Sequence, residues 1–391
     1  MNIKTAKKPP KRIDVSYVSR FRMQSYGNDN LYPQNIQQLT AASGTAKLCI
    51  SRYAKFIEGY GFDSEILATL VLNHGGSTAD DILRDVANDL ANFGGFALHI
   101  NYNVLGEVVE VQHVPFENCR LGEPDDKGYV SKILVHPDWT QSKTRNGSRL
   151  LVNEKTVESF DVFNPGAVLL QIARDDGIDA YKGQIMWCST LGNDVYPLAP
   201  CDAVITDIST DEGLGNIKYR NVRNGFLVSC MMITKKSSPY IDDNGNDKEQ
   251  HMISADDLRD FQGDEKSGKI MLVELENDED KPEVVAFPMR NFDKEFTTTE
   301  TSVVERIYAQ YHQELFYAIR IGKLGFSGQV MRDAYEYYAG EVTNEQRFIE
   351  RAFKAILNVW VDKNMRNIDC VLQPLKYITS EVTDNNTIAN E

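Results

Sequence analysis

The sequence predicts an α+β fold, from three observations. Apolar residues recur at three- and four-residue steps through residues 43–93, then change to an alternating pattern just past Gly94-Gly95. A turn-rich, acidic lobe occupies residues 233–291. The last third carries two long apolar stripes separated by a glycine-bearing connector. At 391 residues the chain exceeds what one core usually fills, so two or three sub-domains are expected.

Taken in order, residues 1–24 form a Lys- and Pro-bearing arm with no hydrophobic period, expected to be flexible or to serve as a contact strand for a neighbour. Residues 25–212 read as an α+β domain. Ala46, Cys49, Ile50, Tyr53 and Ile57 mark a helix over 43–57 that stops at Gly59, and Ile82, Leu83, Val86, Leu90 and Phe93 mark a second over 79–93. Alternation over 96–102 and 108–114 predicts a hairpin, and short strands are expected at 129–135, 167–173 and 184–188. A helix follows at about 215–232, within a segment set at 213–232. In the lobe, a short helix at 254–261 and strands at 269–276 and 283–288 are expected.

Phe296, Val303, Ile307, Tyr311, Leu315 and Ala318 fall on one stripe, so residues 292–320 are expected to form a single long helix. The stripe breaks in the connector 321–329, at Gly322, Gly325 and Gly328, and resumes from Met331 to Trp360, predicting another long helix over 330–362. Residues 363–391 are a short, polar final segment expected to be disordered beyond Thr379.

Composition narrows the chemistry. The formal charge of -15 argues against a protein that grips nucleic acid by neutralising phosphates. Six scattered cysteines with no C-x-x-C pair read as reduced thiols, and no apolar run approaches the length that spans a bilayer, so no membrane role is expected. Gly263-Asp-Glu-Lys-Ser-Gly-Lys-Ile270 fits a phosphate-loop spacing, yet Ile270 stands where Ser or Thr would hold magnesium, and a helix-like stretch precedes it where a strand should. His99 and His113 could approach across the predicted hairpin, but a metal site needs a supporting third ligand. The acidic pairs Asp242-Asp243 and Asp256-Asp257 and the run Asp278-Glu279-Asp280 read as solvated surface. No G-x-S-x-G elbow is present. No catalytic residue, metal site or cofactor is predicted, and the chain reads as a non-enzyme.

Sequence order then carries a resemblance. Tyr26-Gly-Asn-Asp-Asn-Leu-Tyr-Pro33, the helix reaching Glu58-Gly-Tyr-Gly-Phe62, Asn92-Phe-Gly-Gly-Phe-Ala-Leu-His-Ile100, Gly106, Val114-Pro-Phe-Glu-Asn-Cys-Arg120 and Thr343-Asn-Glu-Gln-Arg-Phe348 resemble, in this order, the tailed-bacteriophage portal protein family. The resemblance covers about residues 25–362 and implies a wing at 25–212, stem helices at 213–232 and 292–320, a clip at 233–291, a tunnel loop at 321–329 and a long wing helix at 330–362. It implies a ring, a dodecamer in this family, at one capsid vertex of the virion, assembled in the bacterial host cytoplasm. Double-stranded DNA would pass through during packaging and ejection. A terminase motor, head–tail neck or adaptor proteins, and major capsid and scaffold proteins are the implied partners. Gly322, Lys323, Leu324, Gly325, Phe326, Ser327 and Gly328 would then line the DNA channel, and Asp242, Asp243, Asp278, Glu279 and Asp280 would form the docking face. The family often continues into a helical crown, for which this chain leaves little sequence. Competing readings are another neck adaptor or minor head protein and, less favoured, a nucleotide-dependent enzyme using Lys269.

Overall fold

A computed structural model describes residues 15–140, 152, 155–190, 195–223, 230–233, 239–241, 247–249, 283–286 and 292–377. The chain divides into two compact units, one of residues 1–208 with 305–391, the other of residues 209–304.

The first unit is built on a six-stranded sheet. Its strands are β3 (Gly95–Tyr102), β4 (Val108–Val114), β5 (Cys119–Leu121), β6 (Lys132–Val135), β7 (Glu158–Val162) and β8 (Gln184–Ser189), in the order β4-β3-β8-β7-β6-β5. All neighbours are antiparallel except β7 and β8. The β3–β4 hairpin falls where alternation places it. Strands β5 and β7 escape the sequence pattern because β5 is too short to alternate visibly and β7 reads Glu-Ser-Phe-Asp-Val, with mostly polar residues.

Helices α1 (Tyr32–Ala42), α2 (Gly44–Glu58), α3 (Glu65–Ala68) and α4 (Ala79–Phe93) accompany the sheet. The Ser43 side chain caps α2 by accepting from the Ala46 N–H, so the predicted start at Ser43 is the cap. Helix α4 opens on a reciprocal capping box between Thr78 and Asp81. It closes at Gly94, in the left-handed region at φ 74°, and an added Cβ there would lie 2.9 Å from the Leu198 carbonyl. Beneath the sheet lies a core of Tyr26, Phe93, Ala97, Phe116, Ile133, Ile185 and Tyr196, with Tyr26 and Tyr196 stacked at 4.0 Å.

Several expectations need correction. Within the arm expected to be flexible over 1–24, β1 (Tyr17–Val18) pairs with β2 (Met23–Gln24), and Met23 bridges Gly122, so this part is seated against β5. Residues 1–14 lie outside the described residues. The run expected as a strand at 167–173 is helix α5 (Val168–Arg174), preceded by a 3-10 turn over Pro165–Ala167. A short apolar run cannot be assigned by periodicity alone, and only Val168 in it is buried. Helix α6 spans Ile205–Arg223 rather than 215–232, and Cys230–Ile233 is strand β9.

The expected single helix over 292–320 is two, α7 (Phe292–Gln310) and α8 (Glu314–Arg320). Gln313 N–H donates to Tyr308 O and His312 N–H to Ala309 O, the two bonds of a Schellman ending, with His312 at φ 54° in the position glycine usually takes. With no glycine to announce it, the apolar stripe runs through the break unmarked. The expected helix over 330–362 is also two, α9 (Gly328–Glu341) and α10 (Thr343–Leu357). At the junction the Thr343 hydroxyl bonds back to Ala339 O and Gly340 O, a competition with the helix ladder that favours a bend.

In the second unit, β9 pairs antiparallel with β12 (Glu283–Ala286), and β10 (Pro239–Ile241) with β11 (Asp247–Glu249). Lys218 of α6 forms an ion pair with Glu300 of α7. The expected helix at 254–261, the strand at 269–276 and the segment Gly263 to Ile270 lie outside the described residues. No described helix is long and apolar enough to cross a membrane.

Candidate functional site

The connector between α8 and α9 is where sequence reasoning concentrates function. Arg320 ends α8, and its guanidinium donates to the Tyr308 hydroxyl at 3.0 Å. Gly322 N–H then donates to Ile319 O and Lys323 N–H to Ala318 O, another Schellman ending, with Gly322 at φ 77° in the left-handed slot. Gly322 is thus a helix terminator with a fixed conformation. Gly325 takes φ 49°, and Ser327 caps α9 by accepting from Val330 N–H at 3.3 Å. Gly328 is the first residue of α9 and has no positive φ, so only two of the three glycines use their special freedom.

The side chains between these caps face solvent. Phe326 is 73% exposed, with Ile321 and Leu324 also exposed. An added Cβ at Gly322 or Gly325 would meet nothing within 4 Å. A connector that presents Ile321, Leu324, Phe326 and one cation, Lys323, holds no acid–base pair or nucleophile. It can offer apolar contact and one positive charge.

Below the connector the chain is held firmly. Gln313, fully buried beside the break in the helix, donates to Cys49 O and to the Tyr338 hydroxyl, both at 2.8 Å, and accepts from Arg52 Nη1 at 3.0 Å. The Tyr338 hydroxyl in turn donates a hydrogen bond to Tyr311 O. This network ties α2, α8 and α9 together. It was invisible in sequence because Gln313 lies 264 residues from Cys49 and has no motif around it.

Two of the sequence blocks near the N-terminus meet at one side chain. Arg120 is fully buried, and all five of its donor contacts are neutral: Asn30 Oδ1 at 2.7 Å, Asn30 O at 2.6 Å, Gln34 Oε1 at 3.2 Å, Glu117 O at 2.8 Å and Cys119 O at 2.7 Å. Burial without a bonded carboxylate pulls its pKa down to about 10, which leaves it charged at neutral pH. Tyr26–Pro33 and Val114–Arg120, read separately in the sequence, are therefore one structural joint.

The histidine pair does not come together. Strand register places His113 opposite Leu98 and His99 opposite Gln112, so the two imidazoles lie on opposite faces. His99 meets Lys182 O, and His113 meets Asp89 at 2.6 Å. Among the described residues no group of three His, Cys, Asp or Glu side chains could hold a metal ion. Asp242, Asp243, Asp278, Glu279 and Asp280 lie outside the described residues.

No family model matches the chain, and no curated protein does. Solved structures do. A chain in the virion of a native gene transfer agent particle matches with a TM-score of 0.52 at 12% identity, covering 88% of this chain and 83% of that one. A chain in the neck of the native particle, computed with C12 symmetry, matches with a TM-score of 0.50 at 13% identity, covering 84% and 81%. An HK97 family phage portal protein from Corynebacterium diphtheriae superposes more loosely, with a TM-score of 0.32 at 10% identity. The chain therefore has, over 84–88% of its length, the fold of chains in the virion and neck of gene transfer agent particles.

Proposed function

We propose that this chain is a portal subunit, one of the identical copies that form a ring at a capsid vertex and a channel for double-stranded DNA. The observation that carries the reading is the fold match, over 84% of this chain and 81% of the other, to a chain of a neck computed with C12 symmetry. The sequence blocks from Tyr26 to Phe348 support it independently. In this reading residues 25–212 form the wing, 213–232 and 292–320 the stem, 233–291 the clip, 321–329 the tunnel loop and 330–362 the wing segment that follows it.

The physics of such a channel suits this composition. DNA in transit must not be trapped, and a chain with 57 acidic against 42 basic residues repels phosphates where its surface faces them. Gly322, Lys323, Leu324, Gly325, Phe326, Ser327 and Gly328 would face the channel. Lys323 would touch phosphates transiently, and Leu324 and Phe326 would pack on the duplex or on neighbouring loops. On the clip, Asp242, Asp243, Asp278, Glu279 and Asp280 would steer a basic face of the packaging motor and later of neck proteins, with exchange favoured over tight binding. No covalent step, metal or cofactor is part of this function.

Negative-stain images of the purified protein test it. A portal gives rings with a central hole and a stalk in side view. Rings without a stalk would point instead to a neck adaptor, and a uniform population of compact monomers would remove the proposal.

A further inference from the structure

Two apolar surfaces of the first unit have no partner in the isolated chain. The first is a knob. Val104 and Leu105, at the tip of the β3–β4 hairpin, are 65% and 71% exposed, and Leu169 and Leu170 on α5 are 57% and 76% exposed. The two pairs are neighbours, because a Cβ added to Gly106 would sit 3.4 Å from Leu169 Cδ2. Four large aliphatic side chains this bare in one place make a patch on the order of a few hundred Å², the size at which exposed apolar surface usually marks a contact site.

The second surface is a groove of about 530 Å³ between α9 and the segment just before residue 378. Tyr335 and Tyr377 meet edge to face at 5.5 Å in its wall, Ala339 and Leu375 add apolar lining, and on its rim the exposed cations Arg332 and Lys376 outnumber the one exposed carboxylate, Glu336.

Helix α10 fixes how far apart these surfaces are. Its first residue, Thr343, lines the groove. Its far end is stitched to the hairpin, with Val108 N–H donating to Val359 O at 2.8 Å and Arg366 pairing with Glu107 at 2.8 Å. Fifteen residues of helix place the two sites about 22 Å apart. They differ in shape as well, one convex and aliphatic, the other concave and walled by aromatic rings. A convex site on one copy can seat in the concave site of the next, and repeated head to tail that contact closes into a ring. Charge agrees. Asp176 and Asp179, just past α5, are exposed beside the knob, opposite in sign to Arg332 and Lys376, and among the described residues none of the four is engaged in an ion pair.

We infer that the Val104–Leu105 and Leu169–Leu170 knob of one copy of this chain seats in the Tyr335–Tyr377 groove of the next, as a repeating contact around the ring. The inference rests on the ring reading of the preceding subsection and supplies a surface for it.

Paired cysteines test it. Cys49, Cys119, Cys201 and Cys370 are buried and Cys188 is half-buried. Under mild oxidation, the double variant Leu170→Cys/Ala339→Cys is expected to give a ladder of cross-linked chains. Each single variant alone should give none, and a mixture of the two singles should give dimers only. In parallel, Leu105→Asp with Leu170→Asp should raise the concentration needed for assembly at least tenfold by mass photometry, with an unchanged circular dichroism melt. Asp176→Lys should weaken assembly, and Lys376→Glu in the same chain should restore it. If wild-type protein forms rings while the double variant gives no ladder and the Asp variants assemble normally, this inference falls and the ring reading stands. Cross-linking by either single variant alone would also overturn it, as would a ladder seen only after residues 378–391 are deleted, since the groove would then belong to the chain's own terminus. Wild-type protein that forms no assembly removes both readings.

Discussion

Replacing Arg120 by methionine tests the joint on which the N-terminal part of the fold depends. The substitution keeps much of the side chain's length and apolar bulk but removes the donors to Asn30, Gln34, Glu117 and Cys119, five contacts between 2.6 and 3.2 Å. Three of those acceptors are backbone carbonyls that methionine cannot satisfy. Two effects oppose each other. Removing a buried cation with no bonded counter-ion recovers desolvation energy, while stranding its acceptors costs about 1 kcal/mol or more apiece. With five acceptors against one charge the loss wins, and a net destabilisation of about 3–5 kcal/mol is expected. Loss of the cation stacked over Tyr26 and Trp139, 5.7 and 5.2 Å from the ring centroids, adds to it. Arg120→Lys keeps the charge but has at most three donors on a narrower head, so about 2 kcal/mol or more should still be lost. Urea unfolding followed by tryptophan fluorescence measures both. Hydrogen exchange should show residues 25–34 opening first. An Arg120→Met protein within about 0.5 kcal/mol of wild type, with unchanged exchange in that segment, would refute the reasoning.

Other substitutions probe the remaining joints. Gln313→Ala removes two buried hydrogen bonds and one partly buried one at the break between α7 and α8 and should cost about 2–3 kcal/mol in a urea titration, while Glu314→Ala next to it should cost little. Gly322→Ala meets no neighbour and pays only for its positive φ, about 1 kcal/mol, whereas Gly59→Ala would drive a Cβ to 2.0 Å from the Gln373 carbonyl and should cost about 3 kcal/mol or more. Equal melting points for these two glycine variants would contradict the packing described. A pH series on Asp89→Asn tests the buried Asp89–His113 pair. Burial raises Asp89 to about 6 against the lowering influence of His113, and His113 is raised because its bond and attraction to Asp89 outweigh its own burial. Both groups bind protons more tightly when folded, so their contribution is complete below the unfolded Asp value near 3.8 and is lost as pH rises through about 6 and then through the raised His113 value. The advantage of wild type over Asp89→Asn should therefore shrink by on the order of 2 kcal/mol between about pH 4.5 and pH 8, and an advantage that grows with pH would show the sign to be wrong.

Local signals were legible where one residue type carries them. The apolar spacing through 43–57 and 79–93, the stops at Gly59 and Gly94 and the change to alternation beyond it place α2, α4 and the β3–β4 hairpin almost to the residue. The reading failed where the physical cause was not local. Val168–Arg174 is apolar enough to be either helix or strand, and its place in the chain's packing decides the matter. His312 ends α7 in a conformation for which glycine is the usual sign, and Thr343 bends the following pair through a hydroxyl that looks like any surface threonine. In the connector the glycines were visible, but not that Gly322 belongs to a helix cap and Gly328 to a helix. Arg120 and Gln313, the side chains that join distant segments, gave no sign of their role because nothing in a linear sequence shows which acceptors will surround them.

The central claim is a ring whose hole is lined by residues 321–328. A cryo-electron microscopy reconstruction of the purified full chain measures this directly. The account predicts rotationally symmetric rings in which the Gly322–Gly328 connectors converge on the axis, with Phe326 and Lys323 facing the opening. A ring with these connectors on its outer rim, or a protein that stays monomeric at every concentration imaged, would contradict it.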